Sequence, residues 1–431
     1  MARITRWDPE NEQFWEAEGK KHATRNLWIS VPALFLAFAV WQIWSVTAAS
    51  LNDIGFNFTS AELFTLAALP GLSGATLRIF YTFVVPIFGG RNWTIISTAS
   101  LLIPAIGIGI AVQNPETSFM TMAILAALCG LGGGNFASSM SNISFFYPKK
   151  AKGTALGINA GIGNLGVSAV QFLAPLVITV GVFGAVVGNP QVLPDGSHVW
   201  LQNAAFVWVI PIILTVIAAF FGMDNLPGTK ASIKEQAVIF KNKHTWIMTW
   251  LYTMCFGSFI GYAAAFPLLI RTEFPEVNAL QFAFLGPLVG ALIRPLGGWI
   301  SDKFGGAIVT FWDIIVMIAA TGGVIYYYNQ GNFTGFLIMF LVLFVTTGIA
   351  NGSTFRMIPY IFNNQKEAAA VIGFTSAIGA YGAFLIPKIF GWSIDTTGMA
   401  NTALYIFIAY YVISLVITWF YYSRKNAEVK C

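Results

Sequence analysis

The stretch Gly153–Gly166, GTALGINAGIGNLG, is made mostly of small and apolar residues and has glycines at positions 153, 157, 161, 163 and 166. In water each of these glycines would weaken a helix by up to about 1 kcal/mol relative to alanine. In a bilayer, the four-residue spacing of Gly153, Gly157 and Gly161 leaves one helix face bare, so another backbone can approach closely. Asn164 places an amide in this apolar wall, where it needs a partner or a polar ligand. The stretch therefore predicts a membrane helix that packs through its glycines.

This stretch has a counterpart 216 positions further along the chain (373 − 157 = 216). Ala369–Gly382, AAVIGFTSAIGAYG, keeps a glycine at 157/373, 163/379 and 166/382. The same offset pairs further residues, namely Arg78 with Arg294, Gly132 with Gly348, Asn135 with Asn351, Phe146 with Phe362 and Lys150 with Lys366. An offset of half the chain length that holds for so many unusual residues indicates an internal duplication.

The composition is typical of a polytopic membrane protein. Of the 431 residues 56% are hydrophobic and 10% are charged, and the mean hydropathy is +0.70, whereas soluble domains average about 25% charged residues. We expect no cleaved signal peptide, because the polar start is followed by an apolar stretch long enough to span. Three cysteines and three widely separated histidines indicate neither a disulfide framework nor a metal site, so we expect no metal and no cofactor.

Hydropathy predicts an all-α protein with twelve transmembrane helices in two pseudo-symmetric six-helix bundles. The expected organisation is a cytoplasmic N-terminal arm (1–26), an N-terminal bundle (27–222), a cytoplasmic linker (223–244), a C-terminal bundle (245–422) and a cytoplasmic tail (423–431). With the N-terminus inside, the cytoplasmic segments hold eighteen of the 23 lysines and arginines, and the outside holds Arg271 and Lys388. The positive-inside rule then places both termini in the cytoplasm. Because the net charge of +5 follows this topology, we expect no nucleic-acid partner.

Two arginines lie inside predicted spans at equivalent positions of the duplication, Arg78 in span two and Arg294 in span eight. A central arginine costs about 2.5–3.5 kcal/mol on insertion scales, so it usually faces a cavity or a partner. Of the eighteen acids, only Asp313 lies plainly inside a span. Two central cations without a central acid favour an anionic substrate over a purely structural role. The planar guanidinium fork suits small oxyanions.

A third arginine, Arg356 in span ten, has no counterpart in the first half, where Met140 is its equivalent. We expect it to extend towards the cytoplasmic interface or to pair with Asp313, and the alternative is a role in anion entry or inner gating. The loop between spans eight and nine, Trp299–Gly306, resembles the cytoplasmic loop signature of the major facilitator superfamily. In it Asp302 is either part of a gating hinge or a residue that caps the next helix.

Polar and aromatic side chains available near these arginines include Asn135, Phe136, Ser138, Ser139, Asn164, Tyr252 and Phe256. Sequence position alone does not select among the 38 phenylalanines. The chain, however, resembles the nitrate/nitrite porters of the major facilitator superfamily, the NarK type, over almost its whole length. The specific stretches are GINAGIGNLGVS (157–168), GFTSAIGAYGAFLIPK (373–388), GGGNFASSMSNISFFYPK (132–149), RNLWISVPALFLAF (25–38) and FNFT (56–59).

The resemblance implies that Arg78 and Arg294 bind the anion and that Phe136, Tyr252, Phe256 and Asn164 line its site. It also implies that the signature glycines permit close packing and rocking of neighbouring spans; these are Gly157, Gly161, Gly163, Gly166, Gly373, Gly379 and Gly382. The expected protein is a monomeric transporter in a bacterial inner membrane, in contact with the lipid bilayer, and not an enzyme. It would exchange nitrate for nitrite by alternating access. The alternatives are a proton-coupled nitrate symporter and a nitrate sensor that does not transport.

Overall fold

The computed structural model describes residue 4 and residues 6–227, 237–362 and 365–431. Twelve helices in this part of the chain are long and apolar enough to cross a bilayer. They are α1 (Glu12–Ser50), α2 (Ser60–Tyr81), α3 (Gly90–Ala111), α4 (Phe119–Phe146), α5 (Ala151–Ile178), α6 (Asn203–Gly222), α7 (Lys243–Glu273), α8 (Ala279–Phe304), α9 (Gly306–Asn329), α10 (Phe333–Ile361), α11 (Ala370–Thr397) and α12 (Asn401–Ser423). The all-α, twelve-helix prediction is confirmed.

Two boundaries differ from those expected. Helix α1 begins at Glu12, within the segment expected to be an arm, and the side chain of Asn11 caps it by accepting the backbone N–H of Phe14 at 3.0 Å. Hydropathy predicts span two over residues 62–88, but helix α2 ends at Tyr81, and a turn leads into a short helix, Val84–Phe88. The centre of the expected linker, including Lys230 and Lys234, lies outside the described residues.

A short hairpin joins α5 to α6. Its strands β1 (Gln191–Val192) and β2 (His198–Val199) pair in antiparallel fashion, with Gln191 opposite Val199. The turn between them contains Gly196 at φ +83°, a backbone conformation that residues with a side chain rarely adopt.

The chain divides into two compact units. Unit 1 contains Met1–Phe58 and Leu69–Ala231, and unit 2 contains Thr59–Ala68 and Ser232–Cys431, so the first turns of α2 cluster with unit 2. In unit 1 the central helix is α1, whose most apolar window is 83% buried, against 33% for α6. In unit 2 it is α7, at 94%, against 33% for α8 and α12. The central helices therefore provide most of the interior walls on which a site can be built.

In unit 1, close helix packing occurs at the last two glycines of Gly153–Gly166, which are Gly163 and Gly166. A Cβ at Gly163 would lie 2.7 Å from the side chain of Leu34, and one at Gly166 would overlap the carbonyl oxygen of Phe35, both in α1. At Gly153, Gly157 and Gly161 an added Cβ would meet no described atom within 4 Å. The face of α5 that packs against α1 is therefore the one with Gly163 and Gly166, and close packing through Gly153, Gly157 and Gly161 stays a prediction.

The second signature stretch behaves in the same way. At Gly382 an added Cβ would overlap the backbone of Gly257 in α7, and at Gly379 it would lie 3.0 Å from the ring of Tyr252. At Gly373 it would meet no atom of the described chain within 4 Å, and the packing role expected of this glycine stays a prediction. In both units the contact with the central helix is made at equivalent positions, 163/379 and 166/382.

Asp224, just beyond the end of α6, ties this end of unit 1 to α1. Its Oδ2 accepts hydrogen bonds from Arg25 at 2.6 Å and from Asn26 at 3.0 Å, and it lies 2.9 Å from Nδ1 of His22. The backbone N–H of Asp224 donates to Oδ1 of Asn26 at 2.9 Å. Burial alone would raise the pKa of Asp224, but the hydrogen bonds from His22, Arg25 and Asn26 hold it below its ordinary value.

We expect Gly166→Ala to destabilise the protein and Gly161→Ala to leave its stability nearly unchanged. The methyl group at position 166 would collide with a backbone carbonyl, which has no alternative rotamer, and overpacking of this kind costs about 1–3 kcal/mol. Thermal unfolding of the purified variants in detergent measures the difference. Equal unfolding temperatures for the two variants would contradict the packing described above.

We also expect Asp224→Asn to lower the free energy of unfolding by about 1–3 kcal/mol near neutral pH, since it removes a buried charged acceptor. A lowered pKa contributes stability above the ordinary pKa and loses it as the pH falls through the folded value. The wild type should therefore lose this contribution below about pH 4, and the variant should not. Thermal unfolding as a function of pH is the measurement, with Asp395→Asn, an exposed carboxylate, as the control. Parallel pH profiles for the wild type and Asp224→Asn would contradict the assignment.

Candidate functional site

Arg78 is fully buried in unit 1. Its guanidinium carbon lies 4.9 Å from the ring centroid of Phe136 and 5.3 Å from that of Trp41. Its Nε donates to the carbonyl oxygen of Gly133 in α4 at 3.1 Å. The negative faces of the two rings attract the cation, and the carbonyl fixes the plane of the guanidinium.

Arg78 also lies in the last turn of α2, rather than at the middle of a longer span. The helix stops soon after it because the chain turns at Thr82 and Phe83, where the Thr82 hydroxyl donates to the carbonyl of Arg78 at 3.0 Å. A cation in the last turn of a helix interacts favourably with the partial negative charge of the terminal carbonyl groups. The position of Arg78 thus stabilises its charge in a way that an interior position would not.

Arg294 is the equivalent residue of unit 2, in α8, and it also faces two rings. Its guanidinium carbon lies 4.5 Å from the ring centroid of Phe259 and 5.5 Å from that of Phe256, both in α7. Its Nε and Nη2 are buried and make no hydrogen bond with any residue that the structure describes. These two atoms form the side-on edge of the guanidinium, which can donate two parallel hydrogen bonds to one oxyanion.

Tyr252 extends this aromatic group. Its ring stacks on Phe355 of α10 at 4.6 Å and 5° and on Phe256 at 5.5 Å and 20°. Phe256 lies in a π-helical segment of α7, Thr253–Gly257, and such bulges occur frequently at functional sites. Unit 2 therefore brings Tyr252, Phe256 and Arg294 into one group, and their role in anion binding stays a prediction.

Asn164 is buried in α5 of unit 1. Its Nδ2 donates to the carbonyl oxygen of Ala160 at 2.7 Å, and its Oδ1 is buried without a hydrogen bond to a described residue. Asn159, on the same helix, is also fully buried; it donates to the Ser139 hydroxyl at 2.9 Å and its Oδ1 is likewise unsatisfied. Each amide thus keeps polar capacity that a ligand or water can satisfy.

Arg356 lies beside Asp302 and Tyr360. Its Nε lies 3.4 Å from Oδ1 of the exposed Asp302, and its guanidinium carbon lies 3.9 Å from the ring centroid of Tyr360. Of the two expectations for Arg356, extension towards the cytoplasmic interface or pairing with Asp313, the described structure shows the side chain extended towards the loop signature and paired there with Asp302. Asp302 itself belongs to the end of α8, and α9 begins after Gly305 at φ +91°, so Asp302 does not cap α9. A gating role for Arg356 and Asp302 remains a prediction.

Sequence reasoning missed three aromatic residues that contact the predicted site residues. Trp41 lies over Arg78, Phe259 over Arg294, and Phe355 against Tyr252. Phe259 was within reach, since it follows Phe256 by three residues and so shares its helix face. Trp41 and Phe355 lie on other helices than the residues they contact. No spacing rule connects such residues.

The known proteins that this chain resembles are transporters. A family model described as Major Facilitator Superfamily matches residues 30–387. The chain is 49% identical over 99% of its length to the "Nitrate/nitrite transporter NarU" of Salmonella typhimurium, of which it covers 97%. It is 48% identical over 98% of its length to the protein of the same name from Escherichia coli, again covering 97%.

A further relative is the "Probable nitrate/nitrite antiporter NarK2" of Thermus thermophilus, at 42% identity over 99% of this chain and 98% of the relative. Among solved structures, a D-xylose-proton symporter superposes with a TM-score of 0.72 at 16% identity, covering 92% of this chain and 97% of that one. At that identity the similarity concerns the fold.

Proposed function

Because the chain belongs to the nitrate/nitrite porter (NarK-type) family of the Major Facilitator Superfamily, we propose that it transports nitrate and nitrite and exchanges one anion for the other. Arg78 and Arg294 each bind the transported anion, with Phe136, Phe256, Tyr252 and Asn164 around it. The names of the relatives support the substrates, and the name of the Thermus relative supports exchange. The activity is transport rather than catalysis.

The observation that carries this proposal is the side-on edge of Arg294. A guanidinium whose buried Nε and Nη2 have no described partner is an incomplete arrangement, since an unpaired buried donor on a charged group is costly. Nitrate and nitrite are planar and monovalent, and each presents two oxygen atoms side by side. One such ion satisfies both donors in one plane, whereas a single spherical anion does so with poorer geometry.

The same energetics favour exchange. When the substrate leaves, the desolvated cations lose the anion that offset their charge, and the change of conformation becomes slower. Loading of the next anion restores the balance and permits the return step. Transport in one direction is thereby coupled to transport in the other without a separate driving ion.

One observation favours proton-coupled symport as a second candidate. Asp313, in α9, is buried, and its Oδ2 makes no hydrogen bond with a described residue. A carboxyl group in such a place is far less costly when it carries a proton than when it is charged. Asp313 is therefore the group to test if uptake depends on a pH gradient.

The proposed setting is a bacterial inner membrane, with the protein monomeric and both termini in the cytoplasm. The distribution of lysine and arginine between the connecting segments supports this orientation, because positive residues are retained on the cytoplasmic side. We propose the boundaries expected above for the linker and the C-terminal bundle, and an N-terminal bundle whose first helix begins at Glu12.

We expect Arg78→Lys and Arg294→Lys each to weaken nitrate binding by about 10- to 100-fold, because lysine loses the planar fork and hydrogen bonds to charged groups contribute about 1.5–3 kcal/mol. Nitrate titration of the purified variants by calorimetry is the measurement. Arg424→Lys is the matched control, since Arg424 also lies over two rings, 4.1 Å from Phe420 and 5.9 Å from Trp419, but outside the membrane helices. Unchanged affinity in both site variants would place the binding site elsewhere.

Proteoliposomes test the mode of coupling. We expect nitrate uptake into vesicles loaded with nitrite, without an imposed pH gradient, and little uptake into empty vesicles. Uptake that needs a pH gradient, ignores internal nitrite and is lost in Asp313→Asn would replace exchange by symport. Nitrate binding without movement in any vesicle would indicate a sensor.

A further inference from the structure

Trp41 contacts both α2, the helix that carries Arg78, and α4, the helix whose carbonyl group Arg78 binds. It lies on α1 and is 1% exposed, and its ring covers the Arg78 guanidinium. Its indole N–H donates to the carbonyl oxygen of Pro70 at 2.7 Å. Pro70 belongs to α2, the helix that carries Arg78, so this hydrogen bond ties the indole directly to that helix.

The indole occupies a space that two glycines leave open. A Cβ at Gly74 of α2 would lie 2.6 Å from Nε1 of Trp41, and a Cβ at Gly133 of α4 would lie 2.6 Å from its Cε2. Both distances are far below van der Waals contact, so no residue with a side chain fits at either position while the indole is present. The two glycines are also neighbours, since a Cβ at Gly74 would lie 3.1 Å from Cα of Gly133.

Gly133 connects this packing to the guanidinium. Its carbonyl oxygen accepts the hydrogen bond from Nε of Arg78, so the residue that receives the indole also orients the arginine. Any displacement of Trp41 shifts the contact with Gly133, and the direction of that carbonyl shifts with it. The indole is thus linked to Arg78 by three contacts. Its ring faces the guanidinium, its N–H bonds Pro70 on the helix of Arg78, and it packs on Gly133, which accepts the Arg78 hydrogen bond.

Among the residues of unit 2 that the structure describes, no tryptophan takes this place beside Arg294. The residue 216 positions after Trp41 is Gly257, and both rings over Arg294 come from α7. Arg294 also keeps its side-on edge without a described hydrogen-bond partner. The duplication therefore preserved the two arginines but gave only Arg78 a tryptophan that fixes its helix and its carbonyl acceptor.

We propose that Trp41 is a positioning residue for anion binding, which holds the Arg78 guanidinium in its binding orientation through Pro70 and the Gly74–Gly133 packing. The proposal rests on the proposed function, in which Arg78 binds the transported anion. Trp41 does not itself donate to the anion in this arrangement, since its only N–H is used by Pro70. It acts through the orientation of Arg78.

The test is a double-mutant cycle on nitrate affinity with Trp41→Phe and Arg78→Lys. We expect Trp41→Phe to raise the Kd for nitrate about 5- to 20-fold in the wild-type background, because the hydrogen bond to Pro70 and part of the cation–π surface are lost. In the Arg78→Lys background the same substitution should change the Kd by less than about 2-fold, since the guanidinium that it orients is absent.

Trp44→Phe is the matched control. Trp44 lies one turn further along α1, is fully buried, and its ring is not over Arg78. It reports what the loss of a buried indole from this helix does to folding and affinity in general. We expect it to leave the Kd for nitrate unchanged in both backgrounds, even if the unfolding temperature falls.

A second replacement keeps the shape of the ring. Introduction of 3-benzothienylalanine at position 41, in which sulfur replaces the indole N–H, removes only the hydrogen bond to Pro70 and leaves the packing on Gly74 and Gly133 intact. We expect a smaller increase of the Kd, about 3- to 5-fold, again only when Arg78 is present. This variant decides the matter if Trp41→Phe does not fold.

The outcomes separate the two proposals. If Arg78→Lys weakens nitrate binding but Trp41→Phe behaves like Trp44→Phe, or costs the same factor in both backgrounds, the positioning role of Trp41 is overturned and the proposed function stands. If the wild type binds nitrate and Arg78→Lys binds it equally well, the proposed role of Arg78 fails first. A Kd that rises only where Arg78 is present supports the positioning role.

Discussion

A guanidinium charge placed among membrane helices is the constraint on which this structure depends. Removal of the charge from water costs several kcal/mol even after relaxation, and the rings around Arg78 and Arg294 replace only part of the lost hydration. Each arginine must therefore find further partners. The surrounding protein supplies some of these partners, such as a carbonyl group or a helix end. Other donors of the guanidinium are left for a ligand to satisfy.

The two units meet this requirement differently. Around Arg78 the chain supplies a carbonyl acceptor and a position in the last turn of a helix, so its charge is stabilised by the protein itself. Around Arg294 the chain supplies two rings and no described acceptor for Nε and Nη2. In the proposed transporter, Arg78 acts as a fixed charge and Arg294 as the fork that depends on the substrate. A duplicated chain has in this way acquired two unequal arginines.

Glycine has two separate uses in the membrane helices of this protein. Gly166 and Gly382 lie where the central helix of each unit approaches, and a side chain at either place would overlap its backbone. Gly133 allows an indole and a guanidinium to meet one carbonyl. Gly157 and Gly373 have open space beside them, so they do not make these close contacts within the described structure. Identical residues at a regular spacing thus serve different purposes.

The amino-acid sequence by itself determined the twelve helices, because the length of an apolar run is a local property that the thickness of a bilayer selects. It also determined the paired arginines, since the offset of the duplication is visible without coordinates. Helical spacing also contains the position of Phe259 beside Phe256 on one face, although sequence reasoning did not select Phe259. These features need only the chain itself.

Only the tertiary structure decided which neighbouring helix packs against each face of a given helix. It brought Trp41 of α1 onto Arg78 of α2, selected Asp302 rather than Asp313 as the partner of Arg356, and placed the close contacts with α1 at Gly163 and Gly166. Periodicity states which residues share one side of a helix. It contains no information on the neighbour that packs there, because that neighbour is selected by the fit of side chains from distant parts of the chain.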